Sequence, residues 1–530
     1  MFWIDVTDTF LNWSGSPTGI QRTLLGLAEA SKQRDDCALC AWDKEKNLWR
    51  EIPVDHFARI FSKDSPCAED KGPVSSQPVE FIEARVIFNF CKILAQDCFV
   101  GVNNLLYQVS PFCLIKIYER WKKNTKTRKK SSSKPSFYQS KINIKKSGLE
   151  LKILTACNKI LITLFKWVMY ILPNYIVRRW WDYSRLKDTM AKQVQSVNRE
   201  IARREILSKF TPIISWGIGD SILLADSLWN QAGFLNALSA SEKPPSIIGF
   251  CYDIIPIDRP DFVIDSARRI FKEWIIEMLV HSQEVVCISR YSAQRLNNFV
   301  LWESLHLPSL KSIRPIAFGN MIEDKLSDEN RPSKTLGDIL MAHKLHSGVY
   351  SEQNLQATSW LLWLGSIDVR KNLDVLLLAL EYLFSDGKCN RPVVIAGRPS
   401  TGFNYYEAKI RNNPVLKKNI ILIIAPSDEL VKDLQTGTAL SLFTSWEEGY
   451  GLPVAESLQA GIPVIASNAT SIPEVAGDLV DYFEPWDSRG LAELIDRFES
   501  SEVYRQELLA RTSNFVATSW NKTLDDVLKK

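Results

Sequence analysis

The chain has 530 residues, 45% of them hydrophobic and 11% aromatic, too many for one core and apolar enough to fill two or more. A formal net charge of only +4 lacks the footprint of a dedicated nucleic-acid binder, so no nucleic-acid partner is expected. Ten cysteines show no disulfide spacing, and Cys37/Cys40 with the distant His343 and His346 fall short of a four-ligand zinc site; buried reduced thiols and no metal are expected.

Taken from the first residue, "MFWIDVTDTF" puts Asp5 and Asp8 where a secretory leader would carry positive charge and an apolar run. No stretch is long enough to span a bilayer, so the expected location is the cytoplasm. "FWIDV", "RVIFNF", "TPIISWG", "SIIGFCYD", "EVVCIS" and "SIRPIAF" read as strands, and "TGIQRTLLGLAEASKQ" and "DSARRIFKEWIIEMLVHS" as helices. "WGIGDS" carries two glycines of a dinucleotide fingerprint and lacks the third, so NAD binding is not expected; Asp220 within it either lines a cleft or is exposed. His281 ends a helix, where an imidazolium suits the dipole.

Residues 115–205 fit neither half and read as an insertion in the first. Twelve Lys or Arg face a single acid over 116–146. Lys152, Thr155, Lys159, Thr163 and Lys166 then mark one helical face among apolar residues, within 149–172. Such a helix either lies on an anionic membrane surface or is buried in the first domain.

Residues 323–358 are polar and irregular, as suits a linker. Beyond them short apolar runs ("LLWLG", "PVVIAG", "IILIIA", "LSLFTS", "IPVIAS") alternate with helical patterns, the signature of a parallel doubly wound sheet. The fold class is therefore α/β, with two Rossmann-like doubly wound domains in tandem, 1–322 and 359–515.

Ligands of such sheets sit beyond the carboxyl ends of strands. Two loops there carry chemistry. After "LLWLG" come Gly365, Ser366, Arg370 and Lys371; after "LSLFTS" come Glu447, Glu448, Gly449, Tyr450 and Gly451, with Leu452 and Pro453 opening a helix. Arg370 and Lys371 can neutralise a diphosphate, and the glycine-rich helix start offers it backbone N–H groups. Glu448, and Glu456 one turn into the helix, then call for a neutral partner such as a vicinal diol; Glu447 is expected to face solvent. The set reads as a nucleotide-sugar site.

"EGYGLPVAE", with Glu448 and Glu456 separated by seven residues, and "AGIPVIAS" resemble the signature of retaining glycosyltransferases of family 4, with the GT-B fold, which implies that the two domains face a cleft. "LGSIDVRKNLDVLLLAL", "IAGRP" and "SDEL" stand where that family has donor-domain elements. Residues 516–530 resemble its last helix, which returns to the first domain. "DVTDTF…SPTGIQRT", "YDIIPIDRPDF" and "CISRYSAQRL" resemble bacterial mannosyltransferases of surface polysaccharide synthesis.

The resemblance implies that Glu448 contacts the transferred sugar, Glu456 the ribose, and Arg370 with Lys371 the pyrophosphate. Gly15 to Arg22, including Gly19, would form the acceptor-side loop, with Tyr252 and Asp253 on the same side of the cleft. Ser366 replaces an expected arginine, and Tyr252-Asp253 replaces His-Asp. The expected donor is GDP-mannose or another nucleoside-diphosphate sugar, with no metal or other cofactor. The acceptor is a glycan or glycolipid, met by a protein peripheral on the cytoplasmic face of the inner membrane. The alternatives are a nucleotide-sugar epimerase or other GT-B enzyme, and a non-catalytic sugar- or membrane-binding scaffold.

Overall fold

The computed structural model describes residues 1–13, 19–61, 203–204, 206–207, 211–231, 233–320, 334–343 and 352–529. The "RVIFNF" strand, the basic run 116–146, the amphipathic stretch 149–172, Gly15 to Thr18 and His346 lie outside the described residues.

The first lobe contains β1 (Phe2–Asp5), α1 (Gly19–Ser31), β2 (Cys37–Asp43), β3 (Leu48–Ile52), β4 (Ser221–Leu224), β5 (Ser246–Cys251), α2 (Asp265–His281), β6 (Glu284–Cys287), α3 (Arg290–Trp302) and β7 (Ser312–Pro315). Its strands run in the order β3-β2-β1-β4-β5-β6-β7, all parallel except β3, which pairs antiparallel with β2 at the edge. "TPIISWG" is not a strand: Ile213 makes only an isolated bridge to Arg50, and the strand follows at β4. Aromatic packing explains the displacement. Trp216 is held by edge contacts to Trp3 and Trp49, at 6.0 and 5.5 Å between ring centroids. β2 and β3 are additions to the sequence reading; in β3 the buried Arg50 is neutralised by Asp43 at 3.2 Å.

The second lobe contains β8 (Trp360–Leu364), α4 (Leu373–Ser385), β9 (Val393–Gly397), β10 (Ile420–Ile424), α5 (Asp428–Thr436), β11 (Thr438–Phe443), α6 (Leu452–Gln459), β12 (Val464–Ser467), β13 (Asp481–Phe483) and α7 (Ser488–Ser500). The order β10-β9-β8-β11-β12-β13 is parallel throughout. Strands buried on both faces explain the continuous apolar runs. Trp360 and Trp363, on opposite faces of β8, are both essentially inaccessible.

Within 323–358, read as irregular, Leu336–Ala342 is helical and opens with a capping box of Thr335 and Asp338. Its Leu336, Ile339 and Leu340 join Trp360 and Leu362 in the second lobe's core, which is why the segment is more than a tether. The last helix, α8 (Trp520–Leu528), sends Leu524 and Val527 into the first lobe's core and lies along α1. Two doubly wound lobes facing one cleft are the GT-B architecture. Among the described residues no helix is long and apolar enough to cross a membrane.

Each sheet reverses its winding beside its first strand, between β1 and β4 and between β8 and β11. Loops diverge at such a point and leave a crevice, so the loops after β8 and β11 are placed to hold a ligand.

Candidate functional site

A cleft of about 490 Å³ lies between the lobes, and all fourteen candidate residues line it: Gly19, Arg22, Tyr252 and Asp253 from the first lobe, Gly365, Ser366, Arg370, Lys371, Glu448 to Leu452 and Glu456 from the second. Arg398, Asp428, Ile288 and Phe318 line it too and were not singled out in sequence. "IAGRP" and "SDEL", already conspicuous after strands, carried that signal for Arg398 and Asp428.

The loop after β8 is rigid for local reasons. Ser366 donates to Asp368 at 2.5 Å, and Asp368 accepts the Lys371 backbone N–H at 3.2 Å. A short 3₁₀ turn, Val369–Lys371, follows, and Asn372 takes a left-handed conformation (φ 53°) before α4. Ser366 therefore shapes the loop that presents Arg370 and Lys371. The loop after β11 docks on it: Thr444 donates to the Lys371 carbonyl at 2.8 Å, and the Trp446 N–H to the Arg370 carbonyl at 2.9 Å.

At this junction Lys371 Nζ lies 2.5 Å from Glu448 Oε1, and Arg370 lies 2.9 Å from Oε2. Ser445 adds a hydrogen bond of 2.7 Å to Oε1. Burial alone would raise the Glu448 carboxyl, but Arg370 and Lys371 overcome it and hold the group down at about 2. Burial pulls the Lys371 ammonium below its ordinary value, opposed by Glu448. Glu448 thus has two cationic partners within the protein itself, because low dielectric leaves no buried charge uncompensated.

Gly451, with φ 102°, begins α6 in a conformation that suits glycine, and Pro453 occupies the first turn. Gly449 is required for a different reason. A Cβ there would sit 2.5 Å from the Tyr252 carbonyl oxygen across the cleft. The Gly449 carbonyl accepts hydrogen bonds from Ser289 (2.7 Å) and Ser292 (3.2 Å) of the first lobe. Tyr450 donates to the Phe318 carbonyl at 3.1 Å, and Leu452 lies against Gly19.

Glu456 is also paired rather than free: Arg22 reaches it from α1 at 2.5 Å, with Asp428 at 3.9 Å from the same guanidinium. Burial raises the Glu456 carboxyl, and Arg22 partly offsets it. Tyr252 donates to the Ala225 carbonyl at 2.7 Å. Burial raises the Asp253 carboxyl while Arg370 opposes it, and its Oδ1 accepts the Ile255 N–H at 3.0 Å.

Glu447, expected in solvent, is only partly exposed, because it bridges the lobes: it accepts from Tyr291 at 3.2 Å and lies 3.5 Å from Arg259. Asp220 is no part of the cleft lining; it holds the terminal amino group at 3.0 Å and the Gly217 N–H at 2.8 Å. His281 is 3.1 Å from Ser239 at the end of α2, and His343 is 2.7 Å from Asp433. Cys37 and Cys40 are buried in β2.

Residues 354–515 match the family model described as "Glycosyl transferases group 1". The chain is 24% identical over 278 residues to the serotype-specific mannosyltransferase WbdA of Escherichia coli, covering 52% of this chain and 32% of that protein. It is 26% identical over 167 residues to the O-antigen chain mannosyltransferase B of Escherichia coli, covering 31% of this chain and 42% of that protein. The chain thus spans about a third to two fifths of the curated relatives it matches. Among solved structures, a trehalose-phosphate synthase of Burkholderia xenovorans aligns with a TM-score of 0.40 at 14% identity, covering 59% of this chain and 70% of that one.

Proposed function

We propose that the protein is a glycosyltransferase that moves a hexose from a nucleoside-diphosphate sugar to a glycan acceptor, with retention of anomeric configuration. One observation carries the reading: Arg370 and Lys371 converge on Glu448 at the carboxyl ends of β8 and β11, inside the segment that matches the glycosyltransferase family model. The cations stabilise the departing diphosphate, and Gly449 to Leu452 offer it the N-terminus of α6. Glu448, which stays ionised, accepts hydrogen bonds from hydroxyls of the transferred sugar. Glu456 reads the ribose, and Arg22 links that carboxylate to the acceptor side. Tyr252 and Asp253 face the transferred sugar from the first lobe.

Mannose is the proposed sugar and GDP the proposed carrier, supported by the two relatives named as mannosyltransferases. The acceptor is proposed to be lipid-linked, met on the cytoplasmic face of a membrane. The test incubates the purified protein with sugar-labelled GDP-mannose, UDP-glucose and ADP-glucose, with and without a glycolipid extract, and resolves the products. Release of labelled mannose from GDP-mannose alone, and its capture in glycolipid when extract is added, is the expected result. A changed sugar still attached to nucleotide would make the protein an epimerase. Intact donors in every tube would make it a binding scaffold.

A further inference from the structure

A second cavity, of about 450 Å³, lies on the first-lobe side of the cleft, and the two share Ile20, Tyr252 and Asp253. We infer that this cavity receives an apolar chain carried by the acceptor, an inference that rests on the transferase reading above. Its volume is that of a small-molecule site. Trp229, Phe250, Phe271 and Trp274 supply aromatic wall, and Val263, Ile270 and Ile275 aliphatic wall.

The two carboxylates and the phenol of the lining already have hydrogen-bond partners. Asp226 Oδ1 accepts from the Thr9 hydroxyl and the Ser227 N–H, both at 2.7 Å, and Oδ2 from the Thr9 N–H at 2.7 Å. Tyr252 is committed to the Ala225 carbonyl, and Asp253 to the Ile255 N–H. A sugar ring placed here would strip several hydroxyls of water and find few partners, which is unfavourable. No lysine, arginine or histidine is among the described lining residues, so a diphosphate would find no counter-charge. Burial also pushes the Asp226 carboxyl up to about 7, which lowers the charge at that end near neutrality. An apolar chain meets none of these penalties, and each methylene buried strengthens binding about fourfold before ordering costs.

The two ends of the cavity determine which chain fits. Along α2 the lining residues Ser266, Ala267 and Ile270 are exposed, so the cavity opens to solvent there, beside Ile264, which is 67% exposed. At the other end Tyr252 and Asp253 lie against Gly449, where the transferred sugar is proposed to sit. A chain entering along α2 would deliver a polar head to the cleft. That geometry suits an acceptor whose glycan is joined to an alkyl, acyl or prenyl group, rather than a passing membrane lipid with its head outside.

The experiment titrates the full chain with methyl and n-decyl α-D-mannopyranoside and with decan-1-ol, below micelle formation, reading tryptophan fluorescence, since Trp229 and Trp274 line the cavity. It needs neither donor nor turnover, so it stands or falls separately from the transferase reading, which donor cleavage tests. The decyl glycoside should bind at least tenfold tighter than the methyl glycoside and tighter than decanol. Ala267→Phe and Ile270→Asp, both at exposed helical positions, should each cut the decyl advantage below threefold while GDP affinity and far-UV circular dichroism stay unchanged. Equal binding of the two glycosides, or an advantage that survives both variants, would overturn the inference. Decanol binding as tightly as the decyl glycoside would assign the cavity to bulk lipid and overturn it as well.

Discussion

Replacing Glu448 by Gln removes the anion that Arg370 and Lys371 share while keeping the side chain's shape. The Glu448 carboxyl falls from an ordinary 4.5 to about 2, which corresponds to roughly 3 kcal/mol in favour of the charged group in the folded state. Removing one partner of a buried ion pair costs about 3–5 kcal/mol, because the remaining charges stay buried and, here, repel each other. At about 2–4 °C per kcal/mol for a lobe of this size, Glu448→Gln should melt about 6–20 °C below wild type at pH 7. The sign with pH is fixed: a depressed carboxyl contributes stability that is fully present above 4.5 and lost as pH falls towards 2, so the gap between the two proteins should close in acid. A nucleoside diphosphate supplies the missing negative charge. GDP should therefore restore most of the lost melting temperature and bind the variant at least as tightly as wild type, while turnover falls about 10²-fold or more. Differential scanning fluorimetry with and without GDP, calorimetric titration and a donor-cleavage assay read the three quantities. A variant that melts with wild type and binds GDP more weakly would refute the reasoning, since Glu448 would then hold the ligand rather than the cations.

Gly449→Ala would place a methyl group against the Tyr252 carbonyl; the loop must shift, and turnover should fall at least about tenfold with unchanged far-UV circular dichroism. Gly26→Ala would drive a Cβ into the Trp520 ring, so urea denaturation should show about 1–3 kcal/mol lost, partly regained when Trp520→Ala is added. Asp226, raised from 3.8 to about 7 by burial and the charge of Asp8, disfavours the folded state as it ionises, so stability should decline between about pH 4 and 7; Asp226→Asn should flatten that slope in thermal melts.

The second lobe was legible because its strands, the edge strand β13 apart, are largely buried on both faces. Runs such as Trp360–Leu364 and Val393–Gly397 can be nothing but inner parallel strands when helices separate them. The same logic placed the second-lobe cleft residues, since loops after inner strands open on one edge, whereas Gly19, Arg22, Tyr252 and Asp253 rested on the family resemblance. The first lobe was harder to read. In β3 a charged residue, Arg50, sits inside the sheet against Asp43, so no alternation marks the strand. In 211–217 Trp216 serves a cluster of tryptophan rings while Ile213 is largely exposed, so the apolar run mimics a strand. Local sequence also said nothing of the partners that cross the cleft. Glu447 meets Arg259 and Tyr291 at separations of 188 and 156 residues, and Arg22 meets Glu456 at 434.

The pairing at Glu448 also restricts what chemistry the residue can perform. A carboxylate nucleophile or general base works best near its ordinary basicity, with a lone pair free to face the reacting atom. Glu448 is held at about 2, with Lys371 and Ser445 on one oxygen and Arg370 on the other. It is therefore a weak base with most of its lone pairs engaged, and equally unable to supply a proton at neutral pH. What it can do is fix the two cations and accept hydrogen bonds from neutral hydroxyls. For the transfer proposed above, the glycosidic carbon–oxygen bond breaks as negative charge builds on the diphosphate, and the groups placed to meet that charge are Arg370, Lys371 and the start of α6. The acceptor hydroxyl must lose its proton as the new bond forms. With Glu448 too weak a base, the departing phosphate oxygen becomes the better proton acceptor. On this account a carboxylate-to-amide change at Glu448 should lower the rate without shifting the acidic limb of the pH–rate profile. A general base of ordinary basicity at this position would instead take that limb with it when removed.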